Sequence, residues 1–289
     1  MTTGEVYKIA IVGTENSHAT EIIKYLNVKT ARRRAEVVAL AGEQNEHNAG
    51  LMELGGITTL VEDSKTLIGS VDALIVTNRD GAAHYGQADP FLAAGIPVWV
   101  DKPLACSTDD ARSLINTAER TPAPLTSYSP LRWLEATDRL TQQRDRIGDL
   151  QTVTMIGPAD PGSEYGGIFF YGIHCADVAQ RIAPGTPTDI SSTVAGQTVI
   201  VGYDCGGVDV TLQLVKPDEG QRVPFHCVLV GRHGVAAADL ELTEGYVEPG
   251  IEAFLGMLDS GRPPLGYDEI IHPIIVMEKV REALDTAGH

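Results

Sequence analysis

Short apolar runs alternate along the first third of the chain with segments that carry apolar residues every three or four positions. Lys8-Ile9-Ala10-Ile11-Val12 ends at Gly13, and Ser17 to Leu26 then places Ala19, Ile22, Ile23 and Leu26 at helical spacing. The sequence strand, turn, helix recurs. Glu36 to Ala41 predicts a strand, Asn45 to Leu54 a helix closed by Gly55-Gly56, Thr58 to Val61 a short strand, and Val71 to Thr77 a buried strand. The helix Tyr85 to Ala94, closed by Gly95, and the strand Pro97 to Val100 follow. Strands joined through helices pair in parallel with right-handed crossovers, so residues 1–122 predict an α/β domain with a Rossmann-type, doubly wound parallel sheet.

After Thr121-Pro122-Ala123-Pro124 the rhythm changes. A helix over Leu131 to Arg146, a strand over Leu150 to Ile156 and a helix over Ile168 to Ile182 precede four strand-like runs: Thr193 to Tyr203, Gly207 to Leu214, Pro224 to Val230 and Val235 to Leu242. Successive strands with short turns predict a mostly antiparallel sheet, making residues 123–289 a C-terminal α+β domain. Helices over Ile251 to Leu258 and Tyr267 to Leu284 close the chain. The second carries too many apolar residues for a free surface helix and is expected to pack, with the first domain as one partner.

Composition narrows the partners. A formal net charge of -17 repels phosphate backbones and anionic membranes, and only Arg32-Arg33-Arg34 concentrates positive charge, so neither nucleic acid nor membrane is expected as a partner. That triplet reads as a solvated helix end, or as a contact for a cofactor phosphate beside the second strand. The four cysteines form no C-x-x-C pair, and the first residues lack a basic stretch leading into an apolar one, which together point to reduced thiols in a cytoplasmic protein.

In a doubly wound sheet, ligands bind beyond the C-terminal ends of the strands, and the first turn presents backbone N–H groups to a pyrophosphate. Here that turn is Gly13-Thr14-Glu15-Asn16-Ser17-His18. Against the G-x-G-x-x-G fingerprint only Gly13 remains, with Glu15 at the second glycine position and His18 at the third. A carboxylate there opposes a pyrophosphate, whereas Asn16 and Ser17 can cap the helix and donate to a phosphate. An ordinary capped turn accounts for the same residues equally well. Glu43, just past the second strand, can hold an adenosine ribose or stand as a solvated loop carboxylate, so NAD and NADP both remain open.

Further on stand Val71-Asp72-Ala73-Leu74-Ile75-Val76-Thr77-Asn78, then His84, then Ala93-Ala94-Gly95-Ile96-Pro97-Val98-Trp99-Val100-Asp101-Lys102-Pro103. After the crossover comes Gly166-Gly167-Ile168-Phe169-Phe170-Tyr171-Gly172-Ile173-His174-Cys175-Ala176-Asp177. This order resembles the Gfo/Idh/MocA family of nicotinamide-dependent sugar and polyol dehydrogenases. Their fifth strand ends in Glu-Lys-Pro, matched here by Asp101-Lys102-Pro103, and their Gly-Gly stretch leads into a helix with a catalytic histidine. The resemblance implies that His174 takes the hydroxyl proton as hydride leaves for the nicotinamide while Lys102 polarises the same oxygen. It also implies cofactor contacts from Gly13, Glu15, Asn16, Ser17, Glu43, Thr77, Asn78, His84, Asp101 and Lys102. The family's usual aspartate, one turn before the histidine, is Phe170 in this chain.

Read from the residues, His174 and Asp177 at i and i+3 share one helix face, so the carboxylate is expected to orient the imidazole. Tyr128, Arg132, Tyr165 and Phe170 are expected near the substrate, a small sugar, polyol or related hydroxy or keto metabolite. No close ligand pair such as H-x-x-x-H joins His84, His174 and Asp177, and no metal is expected. The alternating Val208-Asp209-Val210-Thr211-Leu212 predicts a half-buried sheet face available for a homo-oligomer. Glu15 and Phe170 keep two other readings open: a non-redox lyase or isomerase, and a metabolite-binding protein on the same fold.

Overall fold

The computed structural model describes residues 6–30, 34–218 and 223–287. It divides into two compact units, and the division does not fall at a single point in the chain. The first comprises residues 1–101, 109–127 and 247–265, the second residues 102–108, 128–246 and 266–289.

The first unit is built on β1 (Tyr7–Val12), β2 (Ala35–Ala41), β3 (Thr59–Val61), β4 (Ala73–Val76), β5 (Val98–Asp101) and β6 (Leu125–Tyr128), ordered β3-β2-β1-β4-β5-β6. The parallel pairing of β1 with β2 and β4, and of β4 with β5, is the doubly wound arrangement expected from the alternation. Ile9, Ala10 and Ile11 of β1 and all four residues of β4 are fully buried, because helices cover both faces of such a sheet. These helices are α1 (Ser17–Ile23), which runs on as a π-helical turn Lys24–Lys29, α2 (Glu46–Gly55), α3 (His84–Ala93) and α4 (Thr108–Arg120).

The π-helical turn has a structural task. It delivers the buried Asn27 to β2, where the pairing with β1 slips by one residue between Ile9 and Ala10. The Asn27 side chain accepts from the Val37 N–H at 2.9 Å and donates to the carbonyls of Val37 at 2.9 Å and Gly55 at 2.8 Å. The amide thereby satisfies backbone groups of β2 and of the end of α2 together.

The second unit carries β7 (Leu150–Pro158), β8 (Pro187–Ala195), β9 (Thr198–Cys205), β10 (Asp209–Val215), β11 (His226–Gly231) and β12 (Gly234–Asp239) in the order β12-β11-β7-β10-β9-β8. Neighbouring strands pair antiparallel except for the parallel β7–β10. Val153, Met155, Val201, Leu212, Leu214 and Leu229 bury one face. The other, bearing Thr152, Thr154, Ile156, Ile200, Gln213 and Val230, is half-buried or exposed. The remaining helices of this unit are α5 (Glu135–Arg144), α6 (Phe169–Ile182) and, after α7 (Glu248–Ser260), the long α8 (Tyr267–Ala287).

Several expectations need correcting. The first sheet extends to β6, past residue 122, and α4 precedes it; α4 signals itself by Asp109 and Asp110 in its first turn and buries Ala111, Leu114 and Ala118. The run Thr193 to Tyr203 is no single strand but parts of β8 and β9, joined where Gly196 adopts φ +63°. The helix expected over Leu131 to Arg146 is a short 3₁₀ turn, Pro130–Trp133, followed by α5. The helix that joins the first unit is α7, not the final one. Its Phe254 ring lies 5.6 Å from Trp99, and its Glu252 accepts from Tyr25 Oη at 2.8 Å. Of the arginine triplet, Arg32 and Arg33 lie outside the described residues. Arg34 pairs with Glu252 at 2.9 Å and with Asp259, so it is engaged by α7.

Candidate active site

In the first unit a cavity of about 560 Å³ opens beyond the C-terminal ends of β1 and β2. Its floor is the turn after β1. Gly13 has φ +84°, and a Cβ there would stand 2.1 Å from the Asn78 backbone nitrogen, so this position requires glycine twice over. Glu15 turns its carboxylate onto the loop after β4, accepting from the Arg79 N–H at 3.0 Å and from Asn78 Nδ2 at 3.4 Å. His47, on the first turn of α2, donates to the Thr14 carbonyl at 2.8 Å.

The polar lining is rich in acceptors. Glu43 and Glu62 line the cavity, as do Asn48 and Asn78. Asn48 donates through Nδ2 to the Glu43 carbonyl at 2.6 Å, which fixes the orientation of its amide. Its Oδ1, like that of Asn78, is buried without a hydrogen-bond partner. Unmet buried acceptors call for a ligand with N–H or O–H donors, and ribose hydroxyls and an adenine amine supply them. The cavity therefore fits the nucleoside half of NAD. Among the described residues no lysine or arginine lines it, which leaves a 2′-phosphate without a cation beside Glu43 and Glu62.

At the end of β5, Asp101 is 2% exposed and is held by two residues of the turn that follows β1, one of them at the fingerprint's third glycine position. His18 donates through Nδ1 at 2.8 Å and Asn16 through Nδ2 at 3.3 Å, both to Asp101 Oδ2. Asn16 also caps α1 by accepting from the His18 N–H at 3.1 Å. His18 thus has a partner of its own at the position where the fingerprint asks for glycine.

Lys102 follows Asp101 in the chain and belongs to the second unit, where it meets the first turn of α6. Its Nζ donates to the Phe170 carbonyl at 3.4 Å and lies 4.9 Å from the Phe170 ring centroid and 5.8 Å from that of Tyr171. The Tyr165 ring packs tilted against Phe170 at 5.0 Å, and that of Tyr171 lies 5.9 Å from His174. The turn into α6 needs Gly167, at φ +60°, because a Cβ would meet the Pro161 carbonyl oxygen at 2.8 Å.

His174 is 3% exposed, and its Nδ1 stands 2.6 Å from Ser129 Oγ. The carboxylate expected to orient it does something else. Asp177 accepts from the Ser129 N–H at 3.0 Å through Oδ2 and from Arg132 Nε at 3.2 Å through Oδ1. Asp177 therefore acts on the serine that holds His174. Burial pushes the Asp177 carboxyl up, against the pull of the Arg132 guanidinium and the Ser129 N–H.

Gly13, Glu15, Glu43 and Asn78 come together at the cavity. Ser17 is exposed at the start of α1. Thr77 is fully buried and donates to the Val12 and Gly13 carbonyls, while His84, equally buried, donates through Nε2 to the Asn78 carbonyl at 2.9 Å. Both brace the cavity wall from behind. Arg132 is 2% exposed and committed to Asp177 and to Glu269, and Tyr128 is 3% exposed with its ring edge-on to Trp133 at 5.3 Å. Sequence reasoning missed His47, Asn48 and Glu62 at the cavity and Ser129 beside His174. Ser129-Pro130 carries the signature of a cap followed by proline at the first helical position, which could have drawn attention to it.

Residues 7–129 match the model of the Gfo/Idh/MocA oxidoreductase family's NAD-binding Rossmann fold. Among curated proteins no sequence matches the chain. The structure resembles myo-inositol 2-dehydrogenase from Lactobacillus plantarum with a TM-score of 0.84 at 14% identity, covering 98% of both chains. It resembles scyllo-inositol dehydrogenase from Lactobacillus casei at 0.83 and 13% identity, over 99% of this chain and 98% of that one. GenD2 from gentamicin A biosynthesis, solved with NAD, gives 0.83 at 16% identity over 100% and 97% of the respective chains. At these identities the likeness is one of fold.

Proposed function

From the match of residues 7–129 to the NAD-binding Rossmann fold of the Gfo/Idh/MocA oxidoreductases, we propose that the protein is an NAD-dependent dehydrogenase or ketoreductase. Its substrate is a sugar, a polyol or a related small hydroxy or keto metabolite. The observation that carries the reading is that Lys102, just past β5, meets the first turn of α6 at Phe170, one helical turn before His174, with the aromatic rings of Phe170 and Tyr171 beside them. NAD, when bound, exchanges hydride with the substrate carbon. Lys102 binds the reacting oxygen and favours its anionic form, since an ammonium stabilises charge that develops there. His174 meets the same oxygen and manages its proton. The rings of Tyr165, Phe170 and Tyr171 offer apolar surface to the carbon face of a ring substrate and keep water from the ammonium.

The inositol dehydrogenases among the structural neighbours support a cyclic polyol as the first class to try. The outer face of the second sheet, with Ile200 and Val230 exposed, supports assembly into a homo-oligomer, which light scattering tests. The decisive experiment titrates NAD(H) and NADP(H) by calorimetry and then screens inositols, sugars and their keto forms for nicotinamide turnover. Lys102→Met and His174→Gln are expected to abolish that turnover while leaving cofactor affinity within a few-fold. Turnover surviving in either variant refutes the assignment.

A further inference from the structure

The hydrogen bonds of Ser129 are accounted for one by one. Its N–H goes to Asp177, its carbonyl accepts from Arg132 N at 3.1 Å, and its Oγ accepts from the Leu131 N–H at 3.1 Å. The remaining contact of the hydroxyl is His174 Nδ1 at 2.6 Å. Ser129 is fully buried, so a hydroxyl proton turned away from His174 would have no solvent to meet. A backbone N–H can only donate, so Leu131 takes one lone pair of Oγ and leaves the hydroxyl proton to be placed. The acceptor in reach is Nδ1.

We infer that Ser129 is a positioning residue that donates to His174 Nδ1 and thereby holds the neutral imidazole with its proton on Nε2. Asp177 supports this by fixing the serine backbone, and Arg132 by fixing Asp177. Neutral His174 then meets the reacting oxygen as a hydrogen-bond donor. Taking a hydroxyl proton at Nε2 requires the opposite tautomer, with the proton on Nδ1, and would leave the serine O–H pointing at a donor. The consequence for substrate rests on the proposed dehydrogenase reading: the resting site favours an oxygen that accepts, as a ketone or aldehyde does.

The test is spectroscopic and needs no turnover. Protein labelled with ¹⁵N in its histidines is examined by two-bond nitrogen–proton correlation at a pH where imidazole is neutral, and His174 is assigned by the signals lost in His174→Gln. The expected pattern has a pyridine-type Nδ1 and a pyrrole-type Nε2 in the unsubstituted protein. Ser129→Thr, which keeps the hydroxyl, preserves it; Ser129→Ala moves it toward a mixture of tautomers. A pyrrole-type Nδ1 in the unsubstituted protein overturns the inference without recourse to any serine variant, as does an unchanged pattern in Ser129→Ala. If the tautomer stands and no nicotinamide turnover is found, the proposed function fails alone; turnover with the opposite tautomer fails the inference alone.

Discussion

Glu15 stands where the dinucleotide fingerprint calls for glycine, and its charge can be removed without disturbing its hydrogen bonds. Glu15→Gln leaves an amide oxygen to accept from the Arg79 N–H and Asn78 Nδ2, so the turn keeps its tie to the loop after β4. What changes is the interaction with an anion lying against the turn. Two unit charges about 4 Å apart repel by about 1 kcal/mol in water and about 4 kcal/mol at the effective dielectric near a protein surface. Glu15 is exposed, so screening keeps the gain toward the lower figure. A gain of about 1–2 kcal/mol lowers the Kd for NAD by about five- to thirty-fold. Calorimetry at about 0.1 M and about 1 M salt, where the Debye length falls from about 10 Å to about 3 Å, checks the origin of the effect. The advantage of the variant should shrink at the higher salt. Equal or weaker binding by Glu15→Gln at low salt would refute the idea that this carboxylate opposes the cofactor.

Three further outcomes follow from burial and hydrogen bonding. Asn27→Ala strands the Val37 N–H and two carbonyls inside the first unit and should cost about 2–4 kcal/mol in urea unfolding; a loss under about 1 kcal/mol would mean that other groups or water replace the amide. Burial raises the thiols of Cys175, Cys205 and Cys227, to about 11 for Cys205 and about 12 for Cys227, so all three should resist iodoacetamide at about pH 8 until the chain unfolds. Rapid alkylation of any of them in the folded protein contradicts this. Burial lowers the pKa of His272 below its ordinary 6.5, so the unfolded chain takes up the proton first. Its contribution to stability is complete above pH 6.5 and is lost as pH falls toward the lower folded value. His272→Phe should therefore flatten the decline of Tm between about pH 7 and pH 5, and an unchanged slope would assign the decline to other groups.

The first sheet was legible because each strand is a local event: a run such as Ala73 to Val76 declares burial on both faces by itself. The sites were legible only where chemistry and chain position coincide, as at Gly13 and at Lys102 after β5. What escaped involves partners far apart in sequence. His18 reads as a failed glycine until Asp101, 83 residues later, is seen to accept its hydrogen bond. Asp177 reads as the partner of His174 by helical spacing, yet Ser129 and Arg132, from 48 and 45 residues upstream, take both of its oxygens. The hairpin of β8 and β9 reads as a single run because Thr193 to Tyr203 holds two isolated glycines, Gly196 and Gly202, and the sequence does not say that only Gly196 adopts a left-handed φ.

The return of α7 to the first unit sets the order in which that unit can mature on the ribosome. Its sheet is complete in sequence at Ser127, but the helix whose Phe254 covers Trp99 begins roughly 120 residues later. At about 5–20 residues per second, that helix emerges about 6–24 s after β6. During that interval the ring that covers Trp99 on β5 and the carboxylate partners of Tyr25 and Arg34 are missing from the nascent domain. A fragment cut at the end of the sheet would be left in this condition permanently, with a sticky flank where the whole protein has a packed helix.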